Sequence, residues 1–88
     1  MYLHLGQNTV VRQSEIVGIF DMDTATISKN TRQFLADAQK GGRVFNVSME
    51  LPKSFVVCDH PYHAQIVYLS QLNTSTLKNR AESEKPVL

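Results

Sequence analysis

The sequence is poor in the residues that covalent chemistry and membrane anchoring draw on. It holds one cysteine, Cys58, no tryptophan, three prolines and four glycines among 88 residues. A single thiol has no internal disulfide partner. The opening Met1-Tyr2-Leu3-His4-Leu5 lacks the basic and apolar regions of a secretory leader, so a cytoplasmic address is expected. No apolar run reaches the roughly 18–20 residues that a spanning helix needs, and membrane insertion is not expected. Charge is scarce as well: nine Lys and Arg against eight Asp and Glu leave a net charge of +1, far from the strongly basic balance of a monomeric nucleic-acid binder. There is no glycine-rich phosphate loop and no nucleophile elbow. A chain this short has little interior in which to enclose an active site. The expectation is a non-enzyme with no catalytic residues, no cofactor and no small-molecule substrate.

What is present is the material of one globular domain. The hydrophobic fraction is 42%, above the range of disordered chains, with Ile, Val, Leu and Phe spread over residues 3–72. Tyr2–Gly6 alternates, with Leu3 and Leu5 on one face, the period-two pattern of a half-buried strand. Gly6-Gln7-Asn8 supplies turn chemistry, and Thr9–Arg12 resumes an extended pattern, which predicts a hairpin. Glu15–Phe20 is apolar at Ile16, Val17, Ile19 and Phe20, which predicts a strand covered on both faces. Asp21-Met22-Asp23-Thr24 interrupts it. Ser28 or a neighbour then caps a helix that stops at Gly41-Gly42. At about 100° per residue, Thr31, Phe34, Leu35 and Ala38 form one stripe, with Lys29, Arg32 and Lys40 opposite. Arg43–Ser48, Lys53–Asp59 and Gln65–Ser70 read as further strands, the first two joined through Met49-Glu50-Leu51-Pro52, where proline favours a turn or an edge. Asn73–Ala81 opens with capping residues and continues as a short helix.

The fold class is therefore α+β: a small antiparallel or mixed, curled sheet of five to six strands, one main helix and a short C-terminal helix. The domain spans residues 1–81, and residues 82–88 form a flexible tail. Several strands are apolar on both faces, yet one helix of good length is present to cover them. This predicts that the sheet curls on itself or that a second copy of the chain packs on the bare side.

Three sharper readings are weaker than their plain alternatives. His4, Cys58, His60 and His63 lack the ligand spacing of structural zinc sites, so Cys58 reads as a buried strand thiol beside exposed loop histidines. Asp21 and Asp23 stand like the start of a calcium loop, but the glycine and the bidentate glutamate are missing at the required offsets; a strand-to-helix turn accounts for them. Tyr2, Tyr62 and Tyr68 do not make the aromatic-rich strand of a base-stacking sheet.

The order of hairpin, Ile16-Val17-Gly18-Ile19-Phe20-Asp21 strand, helix to Gly41-Gly42, Pro52-Lys53-Ser54 before Phe55-Val56-Val57, Tyr68-Leu69-Ser70 and the Ser75–Arg80 helix resembles the RemA family of bacterial matrix regulators over roughly residues 1–81. The opening Met1–Gly6, the Ile16–Asp21 strand and the Ser75–Arg80 helix are similar to a branch of that family distinct from RemA itself. The resemblance implies a LytTR-like fold, a homo-oligomeric ring and binding of double-stranded DNA at extracellular-matrix and biofilm genes. It also implies DNA contacts at positions that carry arginines in RemA and fall here on Glu15, Glu50 and Leu51. Exchanging arginine for glutamate removes counterion release and adds repulsion. The candidate DNA-binding residues are thus the cations that remain: Arg12, Lys29, Arg32, Lys53, Lys78 and Arg80, whose modest contributions a ring would multiply. The alternative is a ring-forming scaffold that acts through a protein partner with little DNA affinity.

Overall fold

The computed structural model describes residues 1–62 and 64–83. The elements are β1 (Tyr2–Gly6), β2 (Thr9–Arg12), a 3-10 turn (Gln13–Glu15), β3 (Ile16–Asp21), α1 (Met22–Ala25), α2 (Lys29–Lys40), β4 (Val44–Asn46), β5 (Ser54–Cys58), β6 (Ile66–Ser70) and α3 (Thr74–Ser83). Six strands, a main helix and a short C-terminal helix bear out the α+β expectation. The strands form two sheets, the β1-β2 hairpin and a four-stranded sheet in the order β3-β5-β6-β4. The larger sheet is mixed: β5 pairs antiparallel with both β3 and β6, while β4 pairs with β6 in parallel.

Local chemistry sets the element ends. The hairpin turns where Gly6 has φ of +121° and Gln7 of 46°. The positive φ favours glycine at this turn; a Cβ there would also stand 2.7 Å from the Gln71 side-chain amide, a flexible group able to shift. The Asp21 carboxylate accepts from the amides of Asp23 and Thr24 and caps α1, the strand-to-helix role expected of it. Ser28 Oγ caps α2 by accepting from the Thr31 amide. At the other end the Arg43 amide bonds the Ala38 carbonyl and the Gly42 amide bonds that of Gln39, with Gly42 at φ +70°, the geometry of a Schellman stop.

The expected shortage of cover does not hold. One face of the four-stranded sheet buries Phe55, Val57 and Val67 against Ala38 of α2, with Phe34, Leu35, Val44 and Leu69 packed around them. The opposite face buries Val56 and Cys58 against Leu3 and Leu5 of the hairpin and Leu77 of α3. The hairpin and the C-terminal helix supply in cis the layer expected from a curled sheet or a second copy, so the fold is three layers, with a core on each side of the sheet. Two buried serines pin the layers together. Ser70 Oγ donates to the Leu5 carbonyl at 2.6 Å and Ser54 Oγ to the Leu72 carbonyl at 2.7 Å, and the two serines are register partners on β6 and β5.

Some boundaries also move. Glu15 belongs to the 3-10 turn rather than to β3, β4 is only three residues long, and α3 continues two residues past Ala81. The rest of the tail expected over residues 82–88, from residue 84 on, lies outside the described residues. β3 is not covered on both faces. It is an edge strand, with Val17 and Phe20 still 53% and 40% exposed.

Candidate functional site

The six candidate cations fall into three separate groups. Arg12 ends β2, and Lys78 and Arg80 lie on α3. Gln13 Nε2 donates to the Ala81 carbonyl at 3.4 Å, which brings the chain positions of Arg12 and Arg80 side by side on the hairpin and α3 layer. Lys29 and Arg32 share the first turns of α2, which covers the other face of the sheet. Lys53 lies at one end of the sheet, where its carbonyl accepts from the Met22 amide and its amide donates to the Ser70 carbonyl. A flat contact with one duplex therefore takes one layer's cations and not the other's.

Arg32 has a structural occupation. Its Nη1 donates to the carbonyls of Thr26 and Ile27, both at 2.8 Å, and so satisfies the chain between α1 and α2. Reversing its charge would disturb that joint, so Arg32→Glu is not a clean probe of binding. Arg12, Lys29, Lys53 and Lys78 are exposed and Arg80 is half-buried.

The positions where the family resemblance implied arginines carry no phosphate-binding chemistry. Glu15 is half-buried in the 3-10 turn. Met49 is fully exposed and Leu51 86% exposed, with the exposed Glu50 between them. That loop is held at both ends, by Val47 N–H to the Leu69 carbonyl and Lys53 N–H to the Ser70 carbonyl, and the Glu50 amide donates to Ser48 Oγ at 3.1 Å. It presents two apolar side chains and an acid.

A second feature is a product of packing rather than of any local sequence pattern. On the α2 face the helix packs chiefly over β4 and β6, leaving part of the sheet beside β3 open. The result is a groove of about 280 Å³ between α2 and β3, lined by Val17, Phe20, Phe34, Phe55 and Val57 with Asn30, Thr31 and Gln65 at its rim. A register shift between Ile16 and Gly18 leaves Val17 without a partner on β5, so it departs from strict alternation as bulged residues do. The Phe20 ring stacks on Phe55 at 5.1 Å and lies where a Cβ on Gly18 would sit, 2.6 Å from two of its atoms. A doubly apolar strand signalled burial on both faces, but an exposed edge has the same pattern.

The remaining side chains of interest are structural. Cys58 is buried, and that burial, reinforced by Glu15 and Asp59, pushes its thiol up to about 11. Burial, with Cys58 and Glu15 adding to it, also raises the Tyr68 phenol. A thiol so held has little thiolate for nucleophilic attack. His4 is exposed on β1 rather than in a loop, His60 is half-buried, and His63 lies outside the described residues. Among the described residues no three His, Cys, Asp or Glu side chains stand as a group that could hold a metal ion, and no helix is long and apolar enough to cross a membrane.

Residues 2–81 match the family model RemA-like, described as extracellular matrix regulatory protein A-like. The chain belongs to the RemA-like family. It is 44% identical over 82 residues to extracellular matrix regulatory protein B of Bacillus subtilis (strain 168), a match that covers 93% of this chain and 91% of that protein. Glu15, Glu50 and Leu51 lie within the residues that the family model matches.

Proposed function

We propose that this chain regulates extracellular-matrix and biofilm genes without catalysis, as a homo-oligomeric ring that binds double-stranded DNA. The observation that carries the reading is the near end-to-end relationship to an extracellular matrix regulatory protein. Ring assembly no longer draws support from an uncovered sheet face. It draws support from the smaller apolar areas that remain exposed at Val17, Phe20, Met49 and Leu51, since contiguous apolar surface marks interfaces. The DNA surface is assigned to the hairpin and α3 layer, which carries Arg12, Lys78 and Arg80; the exposed Ser75 and Asn79 share a face of α3 with Lys78, whereas Arg80, two residues on, lies on another side of the helix. One subunit offers few phosphate contacts, and repetition around a ring turns them into measurable affinity.

A second reading has its own observation. The Met49-Glu50-Leu51 loop offers apolar surface and an acid where RemA has arginines, which suits a scaffold contacting protein. Light-scattering mass paired with a gel-shift titration at low and moderate salt separates the two. An oligomer that shifts duplex DNA, with affinity falling steeply as salt rises, supports the first reading. An oligomer that leaves DNA unshifted at low salt supports the scaffold, and a monomer overturns both.

A further inference from the structure

Helix α3 and the groove lie on opposite faces of the sheet, and both reach the same end of β3. Leu77 and Ala81 of α3 belong with Ile16 and Ile19 to the core on the hairpin face, while Val17 and Phe20 open into the groove on the α2 face. The helix begins just after β6, and its last turn comes beside Gln13, whose side chain donates to the Ala81 carbonyl. Gln13 opens the 3-10 turn that leads into Ile16. The chain therefore leaves α3 at the start of the edge strand, the end at which Val17 lies. From there Glu84-Lys85-Pro86-Val87-Leu88 follow. Five extended residues span at most about 17 Å, and a packed layer is about 10 Å thick. The segment is long enough to round the β3 edge and bring its last two residues, both aliphatic, to Val17. The slot they would meet, about 280 Å³ between a strand and a helix and walled by Phe20, Phe34, Phe55 and Val57, has room for a pair of such side chains.

We infer that residues 84–88 fold back over the β3 edge of their own chain and that Val87 and Leu88 fill the groove beside Val17. The contact is intramolecular, because a short tether gives an effective concentration on the order of millimolar, ahead of any separate chain. Docked, the segment shields an edge strand that otherwise offers unpaired backbone and the exposed Val17 and Phe20 to other chains. It takes those two residues out of the surface open to assembly and leaves Met49 and Leu51 there. The docking is independent of ring formation and of DNA binding.

The chain has no tryptophan, so Leu88→Trp reports on the segment alone. Its indole should emit to the blue of the same variant unfolded in urea and be several-fold less accessible to iodide. Adding Val17→Lys, at the exposed bulge, should return both readings to the unfolded values while circular dichroism stays native; Asn30→Arg, at the exposed rim, replaces it should Val17→Lys not fold. Dilution by about a hundredfold within the micromolar range, far below the effective concentration of the tether, should leave the emission unchanged. A second measurement avoids the larger side chain. Val87→Ser with Leu88→Ser should move the amide resonances of Val17, Gly18, Phe20 and Thr31 and leave those of β1 in place, a result that supports the docking even where the indole does not fit. Solvent-exposed emission together with unmoved groove resonances overturns the docking, as does emission that stays blue in a folded variant with the groove blocked. A blue shift lost on dilution overturns the intramolecular contact.

Discussion

Ser70→Ala tests how the hairpin is fastened to the sheet. Ser70 is fully buried; its Oγ donates to the Leu5 carbonyl at 2.6 Å and accepts from the Leu72 amide at 3.1 Å. Leu5 is skipped where the β1-β2 register shifts between His4 and Gly6, so Ser70 answers for a carbonyl lying at a break in the ladder. Removing the hydroxyl strands two backbone groups for the loss of one side-chain atom. An unsatisfied buried group costs about 1–3 kcal/mol. Leu5 is fully buried and bears that cost, whereas Leu72 is half-buried and water recovers part of its share. The expected destabilisation is about 2–3 kcal/mol, a large part of the roughly 5–15 kcal/mol of a small domain. Urea unfolding followed by far-ultraviolet circular dichroism measures it as a fall in midpoint at constant slope. Hydrogen exchange adds location: the β1 and β2 amides should lose more protection than those of β5. A loss below about 0.5 kcal/mol with unchanged hairpin exchange would refute this account of the fastening.

Further outcomes follow from the same structure. Leu77→Ala empties a fully buried position that α3 inserts against the hairpin; it should cost about 2–5 kcal/mol in the same denaturation assay, and a loss within 0.5 kcal/mol of zero would mean that the helix is not the cover of that face. Cys58 has a folded-state value of about 11 against 9.0 ordinarily, and Tyr68 is raised as well. Both groups hold their protons more tightly when folded, so stability is level below about pH 9 and falls as pH climbs towards 11. Cys58→Ala should flatten part of that decline in unfolding midpoints measured against pH, and an unchanged decline would acquit the thiol. Lys78→Glu with Arg12→Glu should weaken DNA binding and reduce the salt slope in gel shifts, whereas Lys29→Glu should not; the reverse pattern would move the DNA surface to the α2 layer.

The parts of the fold that could be read from the sequence are those whose causes are local. α2 announced itself through a four-residue stripe, a serine cap and a double-glycine stop, and the hairpin through alternation and Gly6-Gln7-Asn8. Asp21 was recognisable as a turn residue, but a helix of four residues is too short for periodicity to show, so α1 went unread. The error about cover had a different cause. Leu3, Leu5 and Leu77 are few and scattered, and alternation reveals that a strand has an apolar face without naming the layer that meets it. Three leucines and two serine hydroxyls close the second face, a long-range arrangement that no window of the chain displays. The cations were visible as residues but not as groups. Only the contact of Gln13 with Ala81, 68 residues apart, places Arg12 with Arg80, and only the layer order separates both from Lys29. The groove escaped because the displaced Val17 and the position of α2 on the sheet are properties of packing.

The most direct measurement is sedimentation velocity of a fluorescent duplex titrated with this chain at low salt, read at the dye so that only DNA-bearing species are seen. The duplex should move to a faster boundary whose mass corresponds to several protein copies, and return to the free position as salt is raised. A duplex that sediments alone at every protein concentration, or that carries a single copy, would contradict binding as an assembled ring.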